Sequence, residues 1–137
     1  MGSKTNYEID IVKVPVSRID TVDFDSLTFG TTFTDHMFVC DFREGKWQKA
    51  EIKPYAPFLL DPSAKVFHYG QAIFEGMKGY KDESDDVWLF RPEENFERFN
   101  KSAKRMAMPE VDEEIFMSGL HELIDLEREW VKKGLGN

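Results

Sequence analysis

The chain has 137 residues, of which 41% are hydrophobic, so it is long enough for one domain with a substantial apolar core. Its formal net charge is −8 and its Lys and Arg residues lie among acidic neighbours, a pattern that disfavours nucleic-acid binding. One cysteine and three histidines without ligand spacing disfavour a disulfide and a metal site. No apolar run approaches the roughly 18 residues of a membrane span, and the start lacks a signal-peptide pattern. We therefore expect a soluble, cytoplasmic protein without a membrane or nucleic-acid partner.

The first half of the sequence predicts strands. Residues 1–26 show no sustained periodicity and predict an irregular segment, followed by one domain over 27–137. Two apolar runs, 36–42 and 47–52, flank a short Gly-containing loop and predict a hairpin.

Further along, a proline-rich loop predicts a connection to a third strand that starts near Lys65. The runs 77–81 and 87–90 flank five acidic or polar residues and predict a second hairpin. The alternation of apolar and polar residues favours an antiparallel sheet.

The second half predicts two helices. Pro92 occupies a first helical position with acids behind it, an apolar stripe follows at helical spacing, and Pro109 predicts the end of this helix. Asp112 is the predicted N-cap of the second helix. Its predicted buried stripe continues to the end of the helix at 132–134 and comprises Ile115, Phe116, Leu120, Leu123, Ile124, Trp130 and Val131.

Strands followed by helices predict an α+β fold, in which an antiparallel-rich sheet carries two helices packed on one face. Such a sheet has a bare second face unless a partner covers it. The sequence also stops three residues after the predicted end of the last helix. We therefore expect the domain over 27–137 to be truncated.

The segment 67–80 has an unusual composition, with a His, two Tyr, two Phe, a Glu and three Gly in fourteen residues. Small residues between bulky aromatics indicate that the backbone comes close to a ligand or to another chain. A bulged core strand is the alternative. Glu75 lies within this segment and has two interpretations. It is either a general base or, as we prefer, a half-buried carboxylate that binds backbone amides or Lys78.

Arg98 lies to one side of the apolar stripe of the first helix. One interpretation is an exposed ion pair with Glu94, four residues earlier. The other is an anion clamp, since the planar guanidinium matches phosphate or carboxylate oxygens. His36 and His68 are predicted to be structural, and Cys40 to be a small buried hydrophobe, because no nucleophile–base pattern accompanies them.

Three long segments, 29–37, 67–78 and 89–106, resemble the N-terminal region of branched-chain amino acid aminotransferases, which are pyridoxal-phosphate enzymes of fold type IV. The similarity runs from about residue 27 to residue 130. The resemblance implies the small α+β domain of that family, in a homodimeric transferase of branched-chain amino-acid biosynthesis. That family moves the amino group between Leu, Ile or Val and 2-oxoglutarate.

The resemblance also implies roles for individual residues. Arg98 matches the arginine that holds the cofactor phosphate, while Phe29, Tyr69 and Phe74 match aromatics of the pocket for the branched side chain. The tyrosine at the Tyr69 position lies across the dimer interface in the family.

No lysine in this sequence matches the family's Schiff-base lysine, which lies in a second domain beyond residue 137. The resemblance therefore implies no catalytic residue in this chain and no activity of the chain alone. Two alternatives remain. One is another fold type IV enzyme, such as a D-amino acid aminotransferase or an aminodeoxychorismate lyase, and the other is a free-standing, non-catalytic binding domain.

Overall fold

The computed structural model of the protein describes residues 7–134, so the first six residues of the predicted irregular segment and the last three of the chain lie outside it. The described residues form an α+β domain, which confirms the predicted fold class. Its strands are β1 (Ile9–Ile11), β2 (His36–Val39), β3 (Phe42–Arg43), β4 (Lys46–Trp47), β5 (Ala50–Pro54), β6 (Gly79–Lys81) and β7 (Val87–Leu89). Its helices are α1 (Lys65–Tyr69), α2 (Pro92–Arg105) and α3 (Glu113–Leu126), with single 3-10 turns at Ile19–Thr21 and Arg128–Trp130.

The largest sheet of the described residues has three strands in the order β1-β5-β2. The central strand β5 buries Ala50 and Ile52 completely and exposes Glu51 between them, because side chains alternate between the two faces of a strand. β2 pairs with β5 in antiparallel orientation and β1 pairs with it in parallel. The prediction that residues 1–26 are irregular is therefore wrong at β1, a three-residue strand whose partner lies about forty residues away in sequence.

Both predicted hairpins are confirmed. β3 and β4 are joined by Glu44 and Gly45, which have φ angles of 53° and 76°, as a two-residue hairpin turn requires. β6 and β7 form the second hairpin, and the carboxylate of Asp82 accepts hydrogen bonds from the backbone amides of Ser84 and Asp86 in the connecting loop. Through these hydrogen bonds, the acidic side chain of Asp82 stabilises the short loop between the two strands.

The predicted third strand is wrong. Residues from Lys65 form the short helix α1, which ends at Gly70 in the left-handed conformation with a φ of 57°. No regular structure follows over residues 70–78. This segment does not pair with a strand among the described residues. Hydrogen bonds to α2 and to Met106, the residue after it, hold the segment instead.

α2 begins at Pro92, as predicted, but ends at Arg105, before Pro109. Ala107, with a φ of 52°, turns the chain away ahead of the proline. α3 follows Asp112, as predicted, and ends at Leu126. The predicted continuation of this helix to 132–134 is wrong, because a 3-10 turn over Arg128–Trp130 replaces the α-helix. Glu127, between the two, is buried against His36.

The helices form the second layer of the domain. α3 packs on the sheet where Gly119 meets Phe38 of β2, and Phe116 of α3 contacts Phe96 and Phe99 of α2 at ring-centroid distances of 5.5 and 5.7 Å. The buried apolar side chains of this core are Ala50, Ile52, Ala103, Val111, Ile115 and Met117. Between residues 7 and 134, no helix has the length and apolar character needed to cross a membrane.

Candidate functional site

Arg98 on α2 forms a two-point ion pair with Glu75, which lies on the irregular segment 70–78. The Arg98 Nε donates a hydrogen bond to Glu75 Oε2 at 2.6 Å, and Nη2 donates a second one to Oε1. Only 7% of the Glu75 side chain is exposed, against 67% of the Arg98 side chain. The predicted alternative partner of Arg98 was Glu94, which instead pairs with Arg91.

The Glu75 carboxylate is held by other groups as well. Oε1 accepts a hydrogen bond of 2.9 Å from Asn95 Nδ2 and one of 3.0 Å from the backbone amide of Gly76. The hydrogen bond from Arg98, followed by those from Asn95 and Gly76, lowers the pKa of Glu75 from its usual 4.5 to about 2. Glu75 is therefore an ionised structural carboxylate rather than a general base, and Arg98 is its principal partner.

The segment that carries Glu75 lies along α2. Gln71 Nε2 donates to the carbonyl oxygen of Met106 at 2.8 Å, and Asn95 Nδ2 donates to the carbonyl oxygen of Gly76 at 3.0 Å. Gln71 therefore lies near the end of α2 and Gly76 near its start, so residues 71–76 run alongside α2 in the opposite direction.

Among residues 7–134, the contacts of Arg98 use one edge of its guanidinium and leave the other edge available. Arginine has five N–H donors, and Glu75 takes Nε–H and one hydrogen of Nη2. The two hydrogens of Nη1 and the second hydrogen of Nη2 form an outer edge on an exposed side chain. Two parallel donors of this kind match the oxygens of a phosphate or a carboxylate.

The three aromatic residues predicted to line a substrate pocket are all on the surface of the domain. Phe29 is fully exposed in a turn, Tyr69 at the end of α1 is 80% exposed, and Phe74 is 86% exposed. The domain by itself therefore does not enclose these rings, and their role in substrate binding remains a prediction.

The exposure of Phe74 is part of an alternating pattern. Exposure alternates along residues 71–76, with the exposed Phe74 next to Glu75, as expected where successive side chains point to opposite sides. The ring then lies over Gly76, where a Cβ atom would be only 3.3 Å from the Phe74 ring. The glycine predicted to allow a close approach thus accommodates the ring of Phe74.

The other candidate residues have structural contacts. His36 Nε2 accepts a hydrogen bond of 2.9 Å from the amide of Val14, and its Nδ1 contacts Glu127. His68 Nε2 contacts the carbonyl oxygen of Pro62 at 2.8 Å. Cys40 is half-buried, and burial raises the pKa of its thiol, which favours the unreactive protonated form.

Sequence reasoning missed Asn95 as a member of this site. Its spacing is a weak signal, since a residue three positions before Arg98 lies on the same side of a helix. The contact between Glu75 and Arg98 joins residues 23 positions apart, and no local pattern indicates it.

The sequence of this chain is similar to those of known branched-chain-amino-acid aminotransferases. The chain is 52% identical over 115 residues to Branched-chain-amino-acid transaminase 1 of Bacillus subtilis (strain 168), which covers 83% of this chain and 32% of that protein. It is 44% identical over 128 residues to a probable branched-chain-amino-acid aminotransferase of Staphylococcus aureus (strain N315), covering 90% of this chain and 36% of the relative. A branched-chain-amino-acid aminotransferase of Mycolicibacterium smegmatis is 48% identical over 105 residues, which are 75% of this chain and 28% of that protein. The domain is homologous to part of the branched-chain-amino-acid aminotransferases.

This homology confirms the resemblance seen in the sequence. The chain spans about a third of the length of the aminotransferases it matches. No family model matches the chain. The similarity therefore concerns one part of those aminotransferases.

Proposed function

We propose that this chain forms part of a branched-chain amino acid aminotransferase, which moves the amino group between Leu, Ile or Val and 2-oxoglutarate. The observation that carries the proposal is the 52% identity over 115 residues to the Bacillus subtilis transaminase. Because the chain spans about a third of that relative, the proposal places the catalytic lysine in residues outside this chain. The chain alone is then inactive.

Arg98 is the residue proposed to hold the cofactor. Pyridoxal phosphate supplies the electron sink for amino transfer when it is bound. The outer edge of the Arg98 guanidinium, which Glu75 does not occupy, is suited to the phosphate group because it presents parallel N–H donors and keeps its charge at all relevant pH values. Its exposure leaves room for such a group.

Phe29, Tyr69 and Phe74 are proposed to contact the aliphatic side chain of the substrate. Leu, Ile and Val offer only apolar surface, so aromatic walls select them, with roughly 1–3 kcal/mol for each methylene group. The exposure of all three rings supports contacts outside this domain. We place those contacts in a cytoplasmic homodimer, in which a second subunit helps to complete the pocket.

The proposed location of the catalytic lysine outside this chain can be tested by assaying the purified chain and the complete protein with leucine, 2-oxoglutarate and pyridoxal phosphate. The proposal expects transamination by the complete protein and none by residues 1–137. Activity of the isolated chain would contradict the proposed location of the lysine. A complete protein that transaminates only D-amino acids would favour the alternative fold type IV enzymes.

The proposed role of Arg98 can be tested by Arg98→Ala in the complete protein. Loss of a charge-assisted two-point contact should raise the dissociation constant of pyridoxal phosphate at least about tenfold, measured by titration of the apoprotein. Arg105→Ala is the matched control, because Arg105 is an exposed arginine in the last turn of the same helix. Equal cofactor affinity in the two variants would refute the assignment of Arg98.

A further inference from the structure

Glu75 binds one edge of the Arg98 guanidinium through two hydrogen bonds. We propose that Glu75 is a positioning residue, which grips the Nε–Nη2 edge of Arg98 and thereby fixes the outer edge in the orientation that binds a phosphate. This inference rests on the proposed function of Arg98. It assigns to Glu75 a role in cofactor affinity without direct contact with the cofactor.

The need for positioning follows from the exposure of Arg98. A long exposed side chain samples many rotamers, and binding a ligand costs the entropy of choosing one. The two hydrogen bonds to Glu75 select one orientation in advance. Because a planar guanidinium held at two points cannot rotate freely, the direction of its outer edge is fixed as well.

Glu75 is itself well anchored. Its carboxylate accepts hydrogen bonds from Asn95 and from the backbone amide of Gly76, and its side chain is almost fully buried. Asn95 also binds the carbonyl oxygen of Gly76, so the same helix that carries Arg98 fixes the backbone that carries Glu75. The pair therefore forms a rigid unit along α2.

Electrostatics alone makes the opposite prediction. Glu75 carries a negative charge beside the proposed phosphate position, and a like charge weakens the binding of an anion. On charge alone, Glu75→Gln should strengthen cofactor binding. If positioning dominates, the same substitution should weaken it, so the sign of the effect separates the two explanations.

Glu94→Gln is the matched control for the change in charge. Glu94 lies on the same helix, four residues before Arg98, and its carboxylate contacts Arg91. Its substitution removes one negative charge close to the site but leaves the contact between Glu75 and Arg98 intact.

The test measures the dissociation constant of pyridoxal phosphate for the complete protein and for its Glu75→Gln, Glu94→Gln and Arg98→Ala variants. We expect Glu75→Gln to raise the constant about tenfold and Glu94→Gln to change it by less than about twofold. The inference is overturned if Glu75→Gln binds as tightly as Glu94→Gln, or more tightly, while Arg98→Ala binds weakly. Unchanged affinity in Arg98→Ala would instead refute the proposed function on which the inference rests.

A second measurement separates positioning from a general loss of structure. In the complete protein, the Nε–H proton of Arg98 should exchange slowly with water in the unaltered protein and in Glu94→Gln, and quickly in Glu75→Gln. Slow exchange in Glu75→Gln would show that Glu75 does not fix the guanidinium and would overturn the inference. Should Glu75→Gln fail to fold, Asn95→Ala takes its place, with an expected rise of about threefold in the dissociation constant, and an unchanged constant there overturns the inference equally.

Discussion

The ring of Phe38 on β2 lies against the backbone of Gly119 on α3. A Cβ atom at position 119 would be 2.6 Å from Cε2 and from Cζ of that ring, closer than nonbonded carbon atoms approach one another. The sheet and the helix layer therefore meet at a position where a side chain is missing. This contact sets the separation of the two layers, and α2 with Arg98 is carried on α3.

Replacing Gly119 by Ala should destabilise the domain. Overpacking of this kind costs about 1–3 kcal/mol in the free energy of unfolding, although alanine favours an isolated helix by about 1 kcal/mol over glycine. Urea denaturation of the chain measures the net effect. The double variant Gly119→Ala with Phe38→Leu should recover part of the loss, because the smaller side chain makes room for the methyl group. A single variant as stable as the original chain would contradict the close contact.

Local signals accounted for much of the fold. The Glu44-Gly45 turn, with its two positive φ angles, and Pro92 at the start of α2 act within a few residues, and both elements were predicted from sequence. The strand predicted from Lys65 was wrong because apolar and aromatic residues suit a strand and a short helix equally well. The helix ends at Gly70 in the left-handed conformation, and the residues after it make contacts with α2 that no local pattern indicates.

The candidate site was predictable only in part for the same reason. Arg98 could be selected from its residue type, its position beside an apolar stripe and the resemblance of its segment to a family. Its partner could not, since the pair with Glu75 joins a helix to an irregular segment. α3 ends next to Glu127, whose buried contact is with His36, 91 positions away, and helical periodicity gives no indication of such a contact.

The low pKa of Glu75 predicts a dependence of stability on pH. A carboxylate whose pKa falls from 4.5 to about 2 on folding stabilises the folded state above pH 4.5, and this contribution is lost as the pH decreases from 4.5 toward 2. The difference in unfolding free energy between the unaltered chain and Glu75→Gln should therefore be constant at neutral pH and shrink across this window. Urea denaturation at a series of pH values measures it, and subtracting the two chains removes the contribution of other carboxylates. A difference that is independent of pH from 7 to 2 would contradict the ion pair with Arg98.

The buried pair of His36 and Glu127 predicts an asymmetry between two substitutions. Because His36 Nε2 accepts the amide hydrogen of Val14, its ring proton lies on Nδ1 and is donated to Glu127. His36→Ala leaves the buried Glu127 carboxylate without this donor and should cost about 3 kcal/mol in unfolding free energy. Glu127→Gln retains an acceptor oxygen and should cost about 1 kcal/mol. Thermal or urea denaturation measures the two costs. A larger cost for Glu127→Gln than for His36→Ala would contradict the assignment of the proton to Nδ1 of His36.

The exposure of the predicted pocket residues gives a prediction that separates function from stability. Tyr69→Ala and Phe74→Ala should change the unfolding free energy of the chain by less than about 0.5 kcal/mol, because their rings bury little surface in this domain. Phe99→Ala, which removes a contact with Phe116, is the control and should cost about 3 kcal/mol. In the complete protein, the same two surface substitutions should raise KM for leucine about tenfold, the loss of one or two methylene-sized contacts, and leave the affinity for pyridoxal phosphate unchanged. If KM for leucine stays constant while stability also stays constant, the rings do not line the substrate pocket and their exposure requires a different partner.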